Sequence, residues 1–320
     1  MANVLYLGDA SAGMLDIIEA VKPKDITISY WCNLEQDAQE KAIESCAYFL
    51  VSLHKVSKEM LLRAKNLKMI QTTGAAVDNI DLGTAKALGI TVANTPADYT
   101  TSIAELTLGL ILNLFYKLRI FDQAANDQEK TSPLGLKETA YEIRGKVHGI
   151  FGCGKVGQEV ARLTQAFGAK ILYHDLRRLP EELEIKLNAD YVSFDELLKK
   201  ADIISLHTPL TPITRNCLSH REFTLMRSSA ILVNVSCGNI VDENALYHAL
   251  CKQEILGAAI DIWAKEPVGN NPLLGLDNIL LATPHIGTTT REALQSELKM
   301  AFLNIQNVSE GKKSNYVVNG

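Results

Sequence analysis

Several features that would settle the class of a protein at once are missing from this chain. None of its six cysteines (Cys32, Cys46, Cys153, Cys217, Cys237, Cys251) stands in a CxxC pair or at zinc-ligand spacing, so no metal site is indicated. Scattered thiols in 320 residues fit a reducing compartment better than a disulfide frame, and a cytoplasmic location is expected. The opening MANVLYLGDA lacks the charged, apolar and small-residue order of a secretory signal. There is no basic stripe: 32 Lys and Arg against 37 Asp and Glu leave a formal net charge of −5, which argues against nucleic acid or a membrane surface as partner. Long hydrophobic runs are absent too. The best candidate, residues 103–115, is too short for a bilayer and carries Glu105, Thr107 and Asn113. What is present is an ordinary globular composition, 47% hydrophobic and 22% charged, long enough for two domains.

Short apolar runs alternate with helical patterns along the whole chain. Residues 4–7, 48–51, 69–71 and 90–93 read as buried strands, with helices such as 57–65 and 81–88 between them. A second series of strands follows at 147–151, 170–174, 202–206, 230–235, 257–261 and 279–282. Ser193/Glu196 and Ser219/Glu222 form capping boxes on intervening helices, and Ser102/Glu105 forms one for a helix over 103–115. That helix is apolar nearly all round, which calls for burial on every side, as at a hinge or a subunit interface. Residues 122–136 read as a polar surface loop, and a last helix from about Thr289 turns Leu294, Leu298, Phe302 and Ile305 inward. Alternating βα units of this kind give α/β architecture with parallel, doubly wound sheets.

Gly152-Cys153-Gly154-Lys155-Val156-Gly157 follows one of these strands and opens a helix with apolar positions Val156, Val160, Leu163 and Phe167. In such a turn the first glycine permits the tight bend, the second lets a pyrophosphate approach the backbone, and the third allows close helix–strand packing. The phosphates then meet the free N–H groups of the helix N-terminus. Asp175 ends the next strand, about twenty residues on, where a carboxylate accepts bonds from the adenosine ribose hydroxyls. A 2′-phosphate would be repelled there, so NAD is favoured over NADP, although Arg177 and Arg178 stand close by.

Beyond that turn the chain resembles the D-isomer-specific 2-hydroxyacid dehydrogenases, the phosphoglycerate dehydrogenase-like group. The resemblance runs through Gly74-Ala75-Ala76-Val77-Asp78-Asn79, Asn94-Thr95-Pro96, His207-Thr208-Pro209 with Thr214, and Val233-Asn234-Val235-Ser236 before Gly238. It continues through Val241-Asp242, Asp261, Glu266-Pro267 and Pro284-His285-Ile286-Gly287. It implies a Rossmann NAD-binding domain over 99–290 and a flavodoxin-like substrate domain built from 1–98 and 291–320, with the site in the cleft between them. By the same resemblance Gly152, Gly154, Lys155, Val156, Gly157, Asp175, His207, Thr208, Pro209, Thr214, Val235, Ser236, Asp261 and Gly287 hold the cofactor. A homodimer is implied as well, which suits the apolar helix.

Hydride transfer on a 2-hydroxy or 2-oxo acid needs a proton carrier, and a histidine titrates near neutrality. The resemblance makes His285 the general acid/base and Glu266 the partner that fixes its tautomer. It also marks a gap. The family places an arginine immediately before the glycine that is Gly238 here, and this chain has Cys237. A thiol supplies neither the charge nor the reach to grip a substrate carboxylate. Anion binding then falls to the backbone of Gly74, Ala75, Ala76 and Val77, with His54 or Lys55 beside it. In that loop an alanine stands where relatives have a second glycine, and the added methyl narrows the approach and constrains the backbone. Three readings follow: an NAD-dependent dehydrogenase of hydroxy or oxo compounds; an NAD(H)-binding sensor or partner-binding protein weakened for chemistry; and an enzyme using Cys237 as nucleophile toward an aldehyde.

Overall fold

In a computed structural model describing residues 2–52, 54–126, 139–276 and 279–320, the chain forms two compact units, Met1–Asp98 with Thr289–Gly320, and Tyr99–Thr288. The first contains strands β1 (Ala2–Leu7), β2 (Ile26–Tyr30), β3 (Tyr48–Val51), β4 (Met69–Thr72) and β5 (Thr91–Ala93). They make one sheet in the order β2-β1-β3-β4-β5, with every pairing parallel. Helices α1 (Ala12–Val21), α2 (Gln36–Ser45), α3 (Lys58–Arg63) and α4 (Leu82–Ala87) connect them. A strand buried on both faces has no polar side to show, which is why Tyr48–Val51 and Met69–Thr72 are buried at every position. The strand β2 was not evident as an apolar run: it lies at the sheet edge and buries only Ile26.

The second unit opens with α5 (Thr100–Tyr116) and α6 (Leu118–Asn126). Strands β6 (Val147–Phe151), β7 (Lys170–His174), β8 (Ala189–Tyr191), β9 (Ile203–Leu206), β10 (Ile231–Asn234), β11 (Gly257–Ile260) and β12 (Leu280–Ala282) follow. Helices α7 (Lys155–Ala166), α8 (Glu181–Leu187), α9 (Phe194–Lys200), α10 (His220–Leu225) and α11 (Glu243–Cys251) intervene, and α12 (Arg291–Ser309) returns to the first unit. The order β12-β11-β10-β9-β6-β7-β8 is parallel throughout and reverses direction beside β6, the doubly wound pattern with its switch point between β6 and β9. Two apolar layers flank this sheet, one around Leu206, Phe223 and Leu232 and the other around Ile111, Phe115 and Val160. Each such fully buried side chain contributes about 1.5–3 kcal/mol of transfer free energy.

Several expectations need correcting. Ser102 caps nothing: α5 begins at Thr100, and the Ser102 hydroxyl donates to the Gly287 carbonyl at 2.6 Å. In the single chain Glu105 and Gly109 of α5 are exposed. Asp122–Asn126 belong to α6 rather than to a loop, and the rest of that expected loop, to residue 136, lies outside the described residues. Phe167 is the C-cap of α7 and is 45% exposed, so it does not continue the apolar face. Where six strands are expected the described residues form seven, because the short edge strand β8 buries only Ala189 and leaves no apolar run. No helix among the described residues is long and apolar enough to cross a membrane.

Candidate active site

The glycine turn sits between β6 and α7, at the switch point. Gly152 has φ +93°, and a Cβ there would lie 2.7 Å from the His207 carbonyl carbon and the Thr208 nitrogen. The third glycine is tighter still, since a Cβ on Gly157 would lie 2.2 Å from the Gly152 carbonyl oxygen. Gly154, the N-cap of α7, differs: a Cβ there meets nothing within 4 Å, and both Gly154 and Lys155 are exposed. The backbone is thus pressed against its neighbours on the sheet side and left open on the other, a cradle for a phosphate group at a helix N-terminus. Asp175 closes the turn: its Oδ2 accepts from the Cys153 N–H at 2.7 Å, and its Oδ1 accepts from the Arg177 N–H at 3.3 Å. Arg178 is engaged elsewhere, in a two-pronged bond to Glu184 at 2.9 Å and 2.9 Å. These features fit a dinucleotide.

The other cofactor candidates stand in the loops that follow β9, β10, β11 and β12. Thr214 holds the loop after β9 by donating to the Pro209 carbonyl at 2.7 Å and accepting from the Thr211 N–H at 2.8 Å. Val235 is buried, and the Ser236 N–H and hydroxyl both donate to Asn234 Oδ1, each at 3.1 Å. The bonds of Asp261 lie within the His285 turn. Its Oδ1 accepts from Thr283 Oγ1 at 2.6 Å and the Ile286 N–H at 2.8 Å, and its Oδ2 accepts from the Gly287 N–H at 3.0 Å.

His207 leads to residues that the sequence did not disclose. Its Nε2 meets Ser205 Oγ at 2.8 Å, and the same hydroxyl meets His148 Nε2 at 2.8 Å. The far nitrogen of His148 meets Thr164 Oγ1, on α7, at 3.0 Å. Burial pushes His148 and His207 each down to about 3, so both rings stay neutral. This buried chain of hydrogen bonds ties the helix that bears the glycine turn to the loop that packs on it. The signal in the sequence is a histidine inside the otherwise apolar run of β6.

His285 and Glu266 lie together. His285 Nδ1 is 3.0 Å from Glu266 Oε2, and Glu266 Oε1 accepts from the Trp263 N–H at 3.1 Å. A carboxylate only accepts, so this pairing places the His285 proton on Nδ1 and leaves the lone pair on Nε2. The turn around it is fixed at φ +55° by the bond from the His285 N–H to the Asp261 carbonyl, 2.9 Å. Trp263 Nε1 donates to the Thr283 carbonyl at 3.1 Å, which joins the loop bearing Glu266 to that turn. Cys237 is half-buried against the apolar layer that contains Trp263. The backbone of its neighbour Gly238 runs directly along Trp263 and Ala264, so close that a Cβ would fall 1.9 Å from the Trp263 carbonyl carbon.

The substrate candidates belong to the other unit. Gly74, Ala75, Ala76 and Val77 follow β4, and Ala75 and Ala76 are exposed. Their carbonyls are engaged at Gly74, which accepts from the Thr95 N–H at 2.9 Å, and at Ala75, which accepts from Asn94 Nδ2 at 2.9 Å. Among the described residues their four N–H groups donate to no acceptor. His54 packs on Trp31 with ring centroids 5.6 Å apart, and burial lowers its pKa, so it brings no positive charge to an anion at neutral pH.

The family model for the D-isomer specific 2-hydroxyacid dehydrogenase NAD binding domain matches residues 108–287. A glyoxylate reductase of Thermococcus litoralis is 38% identical over 284 residues, 88% of this chain and 85% of that one. A D-3-phosphoglycerate dehydrogenase of Methanocaldococcus jannaschii is 34% identical over 320 residues, 100% of this chain but 60% of that one. The NAD-complexed structure of a D-isomer specific 2-hydroxyacid dehydrogenase from Lactobacillus delbrueckii ssp. bulgaricus aligns with a TM-score of 0.81 at 26% identity, over 99% of this chain and 100% of that one.

Proposed function

Because the chain belongs to the D-isomer specific 2-hydroxyacid dehydrogenase family, we propose that it catalyses the NAD-dependent interconversion of a 2-hydroxy acid, or a related hydroxy compound, with its oxo form. Bound NAD(H) supplies or accepts the hydride. Gly152, Gly154 and Gly157 seat the dinucleotide, with Asp175 at the adenosine ribose. Protonated on both nitrogens, His285 gives its Nε2 proton to the forming hydroxyl. It is left as the neutral Nδ1–H ring, which takes the proton back in the reverse direction, while Glu266 holds Nδ1. The observation that carries this reading is the Nδ1–Oε2 pair at 3.0 Å, because a histidine oriented by a carboxylate is the proton carrier such a reaction requires.

The N–H groups of Gly74–Val77, which donate to no acceptor among the described residues, are the candidates for the substrate carboxylate. Cys237 occupies the position at which relatives present an arginine, so the grip on that carboxylate is one cation short. A charged hydrogen bond contributes about 1.5–3 kcal/mol. Small 2-oxo acids are accordingly poor substrates, and Cys237→Arg raises kcat/KM for glyoxylate or pyruvate by at least about tenfold. The gain shrinks for a ketone without a carboxylate. The same cysteine favours a second reading, an NAD(H)-binding protein that has lost its chemistry. Steady-state NADH oxidation over a panel of 2-oxo acids, aldehydes and plain ketones separates the two. Brisk wild-type turnover of a simple 2-oxo acid would defeat the missing-cation argument. A folded, NADH-binding Cys237→Arg protein that turns over none of the panel would favour the second reading.

A further inference from the structure

The loop that carries Glu266 is held by few contacts of its own: Glu266 Oε1 accepts from the Trp263 N–H at 3.1 Å, and Val268 packs on the apolar layer. Between Lys265 and Asn270 the backbone makes no hydrogen bond among the described residues, and Lys265, Glu266 and Pro267 are exposed. On one side lies a cavity of about 770 Å³ lined by Tyr247, Lys265 and Pro267 among others, so packing does not fix the loop from there. Yet Glu266 must stay within hydrogen-bond reach of His285, since a displacement of even 1 Å in a catalytic group costs on the order of a hundredfold in rate.

One side chain spans the loop at both ends. Glu243, in the first turn of α11, accepts from the Ala264 N–H at 2.8 Å through Oε1 and from Asn271 Nδ2 at 2.7 Å through Oε2. Asn271 is itself fixed, because its Oδ1 accepts from the Leu273 N–H at 3.0 Å. The base of the clasp is fixed too: Asp242 caps α11 by accepting from the Asn244 and Ala245 N–H groups, each at 3.1 Å. We infer that Glu243 is a positioning residue for the acid/base pair, clasping the two ends of the 264–271 loop so that Glu266 is presented to His285. The inference rests on the reading of His285 and Glu266 as that pair, and its test is chosen to stand without it.

The donor and acceptor pattern dictates the variants. Glu243→Ala opens both ends of the clasp. Glu243→Gln keeps an acceptor for Ala264 but turns an amide donor toward the Asn271 amide. Asn271 cannot flip to meet it without surrendering the Leu273 bond. Glu243→Gln combined with Asn271→Asp restores every pairing: the introduced amide donates to one oxygen of the introduced carboxylate, and the other oxygen accepts from the Leu273 N–H. The first readout is the imidazole nitrogen NMR signature of His285, assigned by its loss in His285→Asn. The second is kcat with glyoxylate, measured beside the NADH dissociation constant.

In the wild type His285 holds a fixed Nδ1–H tautomer. In Glu243→Ala that signal averages between tautomers, kcat falls by roughly tenfold to a hundredfold, and NADH affinity changes by less than about twofold. Glu243→Gln lies between, and the double variant recovers both signals. A wild-type tautomer signal and rate in Glu243→Ala would overturn the inference. So would a folded double variant no better than Glu243→Gln alone. If His285→Asn leaves turnover intact, the acid/base assignment fails instead, while the tautomer signal still reports whether Glu243 sets the loop.

Discussion

A methyl group added at two of the fingerprint glycines should do harm of two different kinds. At Gly157 the new Cβ would sit 2.2 Å from the Gly152 carbonyl oxygen and 3.1 Å from Ile150 Cγ2. Backbone on one side and a sheet side chain on the other cannot both give way, so α7 has to move off β6. Overpacking of that kind costs about 1–3 kcal/mol, or roughly 2–4 °C of Tm per kcal/mol in a unit of this size. The helix also carries its N-terminal N–H groups away from the phosphates, so affinity falls with stability. At Gly154 nothing lies within 4 Å of the added Cβ, so Gly154→Ala leaves the fold nearly intact, at an N-cap cost of up to about 1 kcal/mol. Its methyl stands on the ground the pyrophosphate must cross. Loss of one charge-assisted bond, about 1.5–3 kcal/mol, weakens NADH binding roughly 10- to 100-fold. Calorimetric titration with NADH and thermal unfolding, run on both variants, separate the two effects. A Gly154→Ala protein that binds NADH as tightly as the wild type would refute the placing of the phosphates at this helix end.

Asp175 at the ribose position, with Arg178 committed to Glu184, should make NADH bind more tightly than NADPH. Asp175→Ser should narrow that gap, and tighter NADPH binding by the wild type would show that Arg177 outweighs the carboxylate. His148 should make the fold sensitive to acid. Its folded pKa of about 3 lies below the ordinary value of 6.5, so its contribution is complete above pH 6.5 and is lost as pH falls toward 3. The slope is about 1.4 kcal/mol per pH unit for that ring. Denaturant unfolding between pH 5 and 6.5 should give a shallower slope for His148→Gln, and an unchanged slope would contradict the buried neutral ring.

What the sequence displayed and what it hid divide along one physical line. Elements buried on both faces announce themselves, because a strand such as Tyr48–Val51 or Ile231–Asn234 has no solvent side and reads as a mostly apolar run. The edge strands β2 and β8 bury one residue each and leave no such trace, whereas β5 and β12, also at edges, are apolar enough to be read. Local capping chemistry is legible when nothing competes for it: Ser193 and Glu196 bond each other's backbone as their spacing predicts. Ser102 carries the same pattern, but the Gly287 carbonyl, far along the chain, takes its hydroxyl, and no local rule could register that bond. The candidate site follows the same division. The glycine turn and Asp175 are read from spacing, because the chain between them is one strand–helix–strand unit whose geometry the spacing fixes. The groups that orient His285 are brought in from elsewhere: Asp261 from the end of β11, Trp263 beyond it, and Glu243 from the start of α11, where an acid in the first helical turn looks like ordinary dipole compensation. Their sequence spacing carries no signal because each acts through contacts between separate elements. A carboxylate that accepts two bonds from distant parts of one loop can be told from a helix-end charge only once the fold has placed those parts around it.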